Sequence, residues 1–300
     1  MPSKLSASVR LLRPEQWVKN AFLIAPLIFS KHLFNVEYAK ETFLALMVFC
    51  LVSSSVYIVN DIADREIDRQ HPTKKNRPIA SGRISILQAV ALLILVFAAI
   101  FVLGKDLNFR FGLTAATYFL LNLAYSFGLK RVILVDVFMI AAGFMLRVLA
   151  GAFVIAVLIS PWLILCTLFV SVFLAISKRR GELLLTNRAE GYSGREVLHE
   201  YDLSLMDQLM TIAASGMAIS YALYTVADRT VSIFGTDNLI FTTVFVLFGI
   251  FRYLFLVRKN ERDDNPAHLL VTDAAMVVNV LSWFASCVVI IYWNELRSWL

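Results

Sequence analysis

The segment Asn60-Asp61-Ile62-Ala63-Asp64-Arg65-Glu66-Ile67-Asp68 decides the fold, because it follows directly on an apolar run from Thr42 to Val59. A run of that length is typical of a membrane span. The aspartates are spaced i, i+3 and i+7, so a continuing helix would place Asp61, Asp64 and Asp68 on one face. Carboxylates beside lipid repel one another and resist burial unless a cation joins them. The spacing therefore predicts a magnesium site, because Mg2+ is bound by carboxylates together with substrate phosphates.

The composition of the whole chain is that of a polytopic membrane protein. It has 300 residues, 59% of them hydrophobic, and a mean hydropathy of +0.72. Soluble domains are usually less than half apolar, so we expect one membrane-embedded domain over residues 1–300. The net charge of +6 comes from basic residues at the ends of apolar segments. That distribution favours topology signals and anionic substrates over a nucleic-acid-binding stripe.

Apolar segments along the chain predict an all-α fold of about nine transmembrane helices. Charges and a proline interrupt the first of them. The predicted spans are Trp17–Phe34, Thr42–Val59, Ile86–Leu103, Phe109–Leu129, Val132–Leu158, Pro161–Ser177, Leu205–Ala227, Leu239–Val257 and Ala274–Trp293.

The distribution of lysine and arginine predicts the orientation. With nine spans, the N-terminus and the loops after spans two, four, six and eight lie on one side, and most basic residues fall there. The positive-inside rule places this side, with the Asp-rich loop, in the cytoplasm.

The loop after the second span continues from acidic to basic residues, as far as Gly82. Carboxylates could hold magnesium while Lys74 and Arg77, assisted by Asn60, bind the remaining phosphate oxygens. The alternative is a solvated loop whose positive charges only mark topology. His71 precedes a proline and is expected to be a loop residue, not a metal ligand.

A second basic segment, Lys178-Arg179-Arg180-Gly181-Glu182, ends the sixth span, and Tyr201 follows downstream. Lys178 and Glu182 are spaced to pair on a helix. The cluster is either a phosphate site or a simple signal that ends the span.

Isolated charges inside or beside apolar segments give further candidates. Asp136 and Arg147 lie about three helical turns apart on one face of the fifth span. Arg147 is costly in lipid unless it pairs with a carboxylate or meets an anion, and both readings stay open. Lys19, at the start of the first span, could reach a phosphate or only extend its charge to the interface.

The segment Asn60–Asp68 resembles the NDxxDxxxD motif of the UbiA superfamily of intramembrane prenyltransferases. Three further regions are similar to the bacterial branch of that superfamily that transfers phosphoribosyl groups to decaprenyl phosphate. They contain Leu12-Arg13-Pro14-Glu15-Gln16-Trp17-Val18-Lys19-Asn20, the stretch 136–151, and Ser160-Pro161-Trp162 leading to Lys178-Arg179-Arg180-Gly181-Glu182. The similarity to this branch around the motif extends from Asn60 through Gly82.

The resemblance implies transfer of 5-phosphoribosyl from phosphoribosyl pyrophosphate to a polyprenyl phosphate, with Mg2+, for cell-wall arabinan. The chain lacks the second Asp-rich motif that aromatic prenyltransferases carry after span six. That difference favours a monophosphate over a prenyl diphosphate as the second substrate. The candidate catalytic and metal-binding residues are Asp61, Asp64 and Asp68. The candidate substrate-binding residues are Lys19, Asn60, Lys74, Arg77, Asp136, Arg147, Lys178, Arg179, Glu182 and Tyr201.

Two other functions remain open at this point. An aromatic or haem-type prenyltransferase would consume an allylic diphosphate. A cation-coupled transporter would place its acidic residues near the bilayer midplane, whereas these lie at a span end. In the resembled branch the enzyme lies in the bacterial plasma membrane with its active site in the cytoplasm, and a homo-oligomer is compatible with the sequence.

Overall fold

The computed structural model describes residues 4–70, 74–188, 200–259 and 272–297. These residues form helices and connecting turns with no β-strand among them, which confirms the all-α prediction. The predicted loop residue His71 lies outside the described ranges.

Thirteen α-helices follow one another along the described chain. Short 3-10 helices also occur at Pro14–Ile24, Lys74–Asn76, Leu129–Arg131 and Asn238–Thr242. The α-helices are α1 Lys4–Leu12, α2 Ala25–Phe29, α3 Val36–Ala63, α4 Arg65–Gln70, α5 Ile86–Gly104, α6 Phe109–Phe127, α7 Val135–Val154, α8 Pro161–Arg188, α9 Leu203–Val226, α10 Asp228–Phe234, α11 Thr243–Lys259, α12 Ala274–Ile291 and α13 Trp293–Arg297.

Seven helical segments of the described chain are long and apolar enough to cross a membrane, so the predicted count of nine is not confirmed. The first predicted span is a 3-10 helix over Pro14–Ile24 followed by the five residues of α2. Pro26 lies in the first turn of α2 and has no N–H with which to continue a helix from the preceding residues. The seven segments are Val36–Ala63, Ile86–Gly104, Val135–Val154, Pro161–Leu184, Leu203–Val226, Asn238–Lys259 and Ala274–Ile291.

The chain forms two compact units, and α7 contributes to both. The first unit is Met1–Gly128 with Leu146–Leu158. There α3 packs against α5, α6 and the first 3-10 helix around a core that includes Phe49 and Phe111. The second unit is Leu129–Met145 with Ile159–Leu300. In it α8 packs along α9, and α11 packs against α9 and α12.

Polar side chains begin five of the long helices. A helix leaves its first N–H groups without partners, and this is costly close to lipid. Ser85 and Gln88 form a reciprocal capping box at α5, in which each side chain accepts from the other residue's N–H. At α3, α6, α9 and α12 an Asn or Asp side chain accepts from N–H groups of the first turn. These capping residues are Asn35, Asn108, Asp202 and Asp273.

Large apolar side chains cover the outside of several helices, as membrane helices require. On α5 only Ala89 and Val96 are buried, while Leu95 and Phe101 are exposed. A water-soluble protein does not expose apolar area of this extent. The outer face of α5 is therefore the face that meets lipid.

A glycine in α7 allows a close approach between two backbones of the first unit. A Cβ on Gly151 would overlap the carbonyl group of Leu23, which is backbone and cannot rotate away. Gly112 in α6 has open space where its Cβ would lie.

We expect Gly151→Ala to destabilise the protein by about 1–3 kcal/mol, because the added methyl group forces α7 and the first 3-10 helix apart. Thermal unfolding in detergent measures the effect. Gly112→Ala is the matched control and should unfold at or above the wild-type temperature, since alanine favours the helix. Equal unfolding temperatures for the two variants would contradict the close approach.

Candidate active site

Asp61 is a buried carboxylate held by two arginines. Helix α3 continues four residues past the predicted end of its span, and this places Asp61 in its last turn. One carboxylate oxygen, Oδ1, accepts from Arg13 Nη2 at 2.5 Å and from Arg77 Nη1 at 3.2 Å. The Asp61 side chain is only 1% exposed. A carboxylate so buried requires such partners, because isolated burial of its charge is prohibitively costly.

Arg77 also binds Asp68, so one guanidinium joins two of the three predicted metal ligands. Its Nη1 lies 2.6 Å from Asp68 Oδ2, and the Asp68 side chain is 3% exposed. Helix α4 carries Asp68 and also contacts the segment that follows Arg77. There, Arg69 Nε donates to the carbonyl of Ala80.

The spacing predicted that the three aspartates lie on one face of a continuous helix, but the helix is interrupted between them. Helix α3 ends at Ala63, Asp64 caps it, and α4 begins at Arg65. Among the described residues no group of three acidic, histidine or cysteine side chains is close enough to hold a metal ion together. The physical reason is the interruption at Asp64, together with the arginine that lies between the other two carboxylates.

Two oxygens at the end of α3 nevertheless have the chemistry of a magnesium site. Asn60 Oδ1 and Asp61 Oδ2 are buried, and neither accepts a hydrogen bond within the described part of the chain. An unpartnered buried oxygen costs stability unless a cation or donor meets it. Amide and carboxylate oxygens are ligands that Mg2+ accepts, with substrate phosphates and water completing its coordination. The residues present therefore fit the predicted metal.

Arg13 is a component of this site that was not among the residues predicted to bind substrate or metal, although it lies in a region of family resemblance. Its backbone is left-handed, with φ 53° and ψ 59°, although it is not glycine and precedes a proline. Its guanidinium lies 4.8 Å from the centre of the Tyr57 ring. Ser54 fixes the neighbouring backbone by donating to the carbonyl of Leu12, and Trp17 Nε1 donates to the Ser54 hydroxyl. Strained residues of this kind are enriched at functional sites.

Arg147 lies in a buried polar pocket of the first unit. Its Nε donates to Asn20 Oδ1 at 2.8 Å, and its Nη2 donates to the hydroxyl of Tyr118 at 2.8 Å. The guanidinium also lies over the Tyr118 ring, at 4.7 Å. Asn20 in turn donates to Ser53 Oγ, so the pocket is connected to α3. These contacts stabilise the buried guanidinium, and binding of a substrate to Arg147 stays a prediction.

Asp136 and Arg179 form a buried ion pair in the second unit. Arg179 Nε lies 2.5 Å from Asp136 Oδ2, and Arg179 Nη1 lies 2.5 Å from Glu182 Oε2. The side chains of Arg179 and Asp136 are 1% and 0% exposed. Tyr201 donates to Asp136 Oδ1 and accepts from the N–H of Leu134. The guanidinium of Arg179 is thus already matched with two carboxylates.

Burial raises the pKa of the Tyr201 phenol above its ordinary value, with Asp136 adding to the effect. Tyr201 is therefore a protonated donor to Asp136 at neutral pH.

The remaining predicted ligands are lysines in less enclosed positions. Lys178 is exposed, while Lys19 and Lys74 are half-buried in two 3-10 helices. Their binding of phosphate stays a prediction.

The long apolar helices define an all-helical, multi-pass membrane protein, and solved structures share its fold. A UbiA homologue from Archaeoglobus fulgidus bound to GPP and Mg2+ has a TM-score of 0.68. It is 18% identical, and the likeness covers 95% of this chain and 99% of that one.

The UbiA prenyltransferase family matches residues 23–277, and the chain belongs to this family. It is 30% identical to the decaprenyl-phosphate phosphoribosyltransferase of Mycolicibacterium smegmatis, over 97% of this chain and 94% of that protein. It is 32% identical to the enzyme of the same name from Corynebacterium glutamicum, over 95% and 86% of the two chains. The protein is accordingly a transferase of the UbiA superfamily.

We expect Asp136→Asn to lower the free energy of unfolding by up to about 3–5 kcal/mol, because it leaves the buried Arg179 short of a counter-charge. Thermal unfolding in detergent measures the loss. Lys178→Ala, on the same polar segment but exposed, should change stability by no more than about 0.5 kcal/mol. An Asp136→Asn protein as stable as Lys178→Ala would show that the ion pair does not support the fold.

Proposed function

We propose that the protein transfers the 5-phosphoribosyl group of phosphoribosyl pyrophosphate to a polyprenyl phosphate and releases pyrophosphate. The two phosphoribosyltransferases that align along nearly the whole chain support this substrate pair. The single structural observation that carries the proposal is the buried pair of oxygens, Asn60 Oδ1 and Asp61 Oδ2, beside two arginines.

Magnesium would be held by Asn60 and Asp61, with Asp64 and Asp68 as further candidate ligands. When bound, it supplies charge stabilisation for a departing pyrophosphate. Arg13 and Arg77 favour the ionised form of Asp61 and fix its orientation, because both donate to the same oxygen. The other oxygen, Oδ2, is thereby available to a ligand.

The attacking group needs little activation. A polyprenyl phosphate is already an anion at pH 7, so the reaction requires no strong base. Departure of pyrophosphate from the anomeric carbon is the difficult event, and positive charge at Arg77 and Lys74 would assist it. Attack from the face opposite the leaving group would invert the anomeric centre.

The location of the reaction follows from the two substrates. We expect the polyprenyl tail to lie in an apolar groove open to lipid, and the water-soluble donor to enter from the cytoplasm. The basic loops on the predicted inner side of the bacterial plasma membrane favour that orientation. The lipid-linked product would serve as a precursor of cell-wall arabinan.

A second candidate is transfer of a prenyl group from an allylic diphosphate. The observation that favours it is the shared fold with the Archaeoglobus homologue, whose structure contains GPP. Against it, the polar end of α8 carries Arg179 and Arg180 in place of a second acidic motif.

One assay with purified protein separates the two candidates. Decaprenyl phosphate, phosphoribosyl pyrophosphate and Mg2+ should give a lipid whose mass increases by one phosphoribosyl group. In a parallel reaction, a prenyl diphosphate with an aromatic acceptor should give no product. The opposite pattern would replace the proposed function with the second candidate.

We expect Asp61→Asn to lower the turnover number at least about 100-fold, because a neutral amide binds Mg2+ more weakly than a carboxylate and cannot balance the charge of both arginines. The rate at which the lipid product forms, with the product identified by its mass, measures the effect. Thermal unfolding checks that the variant is folded. Asp106→Asn removes an exposed carboxylate and is the control expected to retain full turnover. Full magnesium-dependent turnover by Asp61→Asn would contradict the assigned role.

Magnesium alone should stabilise the wild-type protein. Binding at 100 times the dissociation constant adds about 2.7 kcal/mol to the free energy of unfolding. We expect Mg2+ to raise the unfolding temperature of wild type and Asp106→Asn, but not of Asn60→Ala. A magnesium response retained by Asn60→Ala would remove that residue from the ligand set.

A further inference from the structure

Three consecutive cations near the end of α8 have three different environments. Lys178 is exposed to solvent. Arg179 is buried and bound to Asp136 and Glu182. Arg180 is also buried, with 8% of its side chain exposed, but its described ion pair is with Asp207 alone. The three residues therefore differ in what they can offer to a ligand.

Arg180 has a buried donor that the described protein does not satisfy. Its Nε donates to Asp207 Oδ1 at 2.7 Å. Its Nη1 is buried and donates to no acceptor anywhere in the described ranges. A buried N–H group on a cation that lacks an acceptor lowers the stability of the protein. A position that bears such a cost is a candidate for a ligand that supplies the acceptor.

The ion pair with Asp207 is unequal in its access to water. The Asp207 side chain is 35% exposed, whereas that of Arg180 is 8% exposed. Water screens the charge of the carboxylate more than that of the guanidinium, so positive potential remains on the buried side of Arg180. Asp207 fixes the guanidinium plane through Nε, and Nη1 stays directed away from that bond.

We propose that Arg180 binds the phosphate monoester of a substrate, and that the Arg179 guanidinium serves the fold. A guanidinium matches phosphate oxygens with parallel donors, and the bond is strengthened by its charge. In the terms of the proposed function, on which this inference rests, the ligand is the 5-phosphate of the donor or the phosphate of the polyprenyl acceptor. Both present the same dianionic group, and Asp207 is a positioning residue for it.

Binding without turnover tests the proposal. The probes are ribose 5-phosphate and geranyl phosphate, and calorimetry measures their binding to detergent-purified wild type, Arg180→Gln and Lys105→Gln. We expect Arg180→Gln to weaken one probe at least about 10-fold, as loss of a charged hydrogen bond requires. Lys105→Gln changes an exposed lysine outside the candidate site and should alter either affinity by less than about 3-fold.

Arg180→Lys keeps the charge and the pairing with Asp207 but lacks the planar donor arrangement. It provides a second variant if glutamine at this position impairs folding. We expect the affinity of Arg180→Lys for the affected probe to lie between the affinities of wild type and Arg180→Gln. Its KM for the substrate that carries the same phosphate should rise, and its kcat should change less.

The results distinguish the source of the phosphate. Weakened binding of ribose 5-phosphate alone assigns Arg180 to the donor, and weakened binding of geranyl phosphate alone assigns it to the acceptor. Wild-type affinity of folded Arg180→Gln and Arg180→Lys for both probes would overturn the proposal. Because these measurements need no product, they stay decisive even if the transfer assay shows that the proposed function is wrong.

Discussion

The structure depends on one constraint, which is that a carboxylate removed from water must meet a cation. Both units satisfy it with arginine. In the first unit, Arg77 joins Asp61 and Asp68. In the second, Arg179 binds Asp136. Such pairs add little stability over an apolar core, but loss of one partner is strongly destabilising. Buried acidic residues at these positions therefore indicate a functional role more than a contribution to packing. The proposed transfer between phosphorylated substrates would be such a role.

Hydropathy was sufficient to predict most spans, because the same property decides whether a helix can lie in lipid. It was a poor guide to where helices end. The sixth span was predicted to stop at Ser177, whereas helix α8 continues to Arg188. Lysine, arginine, glutamate and leucine are all good helix formers, so a helix can continue through a charged segment beyond the end of its apolar span. The first predicted span is not among the seven long apolar helices of the described chain, and Pro26 interrupts it.

The residue types of the site could be predicted from the sequence, whereas their partners could not. The motif predicted Asp61 as a metal ligand and Asn60 as a phosphate-binding residue, and each has a buried oxygen that no donor meets within the described ranges. Arg13 is 48 positions away from Asp61 and has no local pattern that separates it from other basic residues near the N-terminus. Long-range ion pairs depend on tertiary packing, and the left-handed backbone that directs Arg13 is equally invisible in composition. For the same reason, only the structure distinguishes the environments of Lys178, Arg179 and Arg180.

The helical register of α8 has a consequence for how this protein could change over evolution. Successive residues on a helix differ by roughly 100° in direction. Three neighbouring basic residues consequently point towards solvent, towards Asp136 on α7 and towards Asp207 on α9. A single inserted or deleted codon between Pro161 and Ser177 would rotate all three together and exchange their neighbours. Point substitutions can alter this region gradually, but a change in the length of α8 would disrupt every pairing at once.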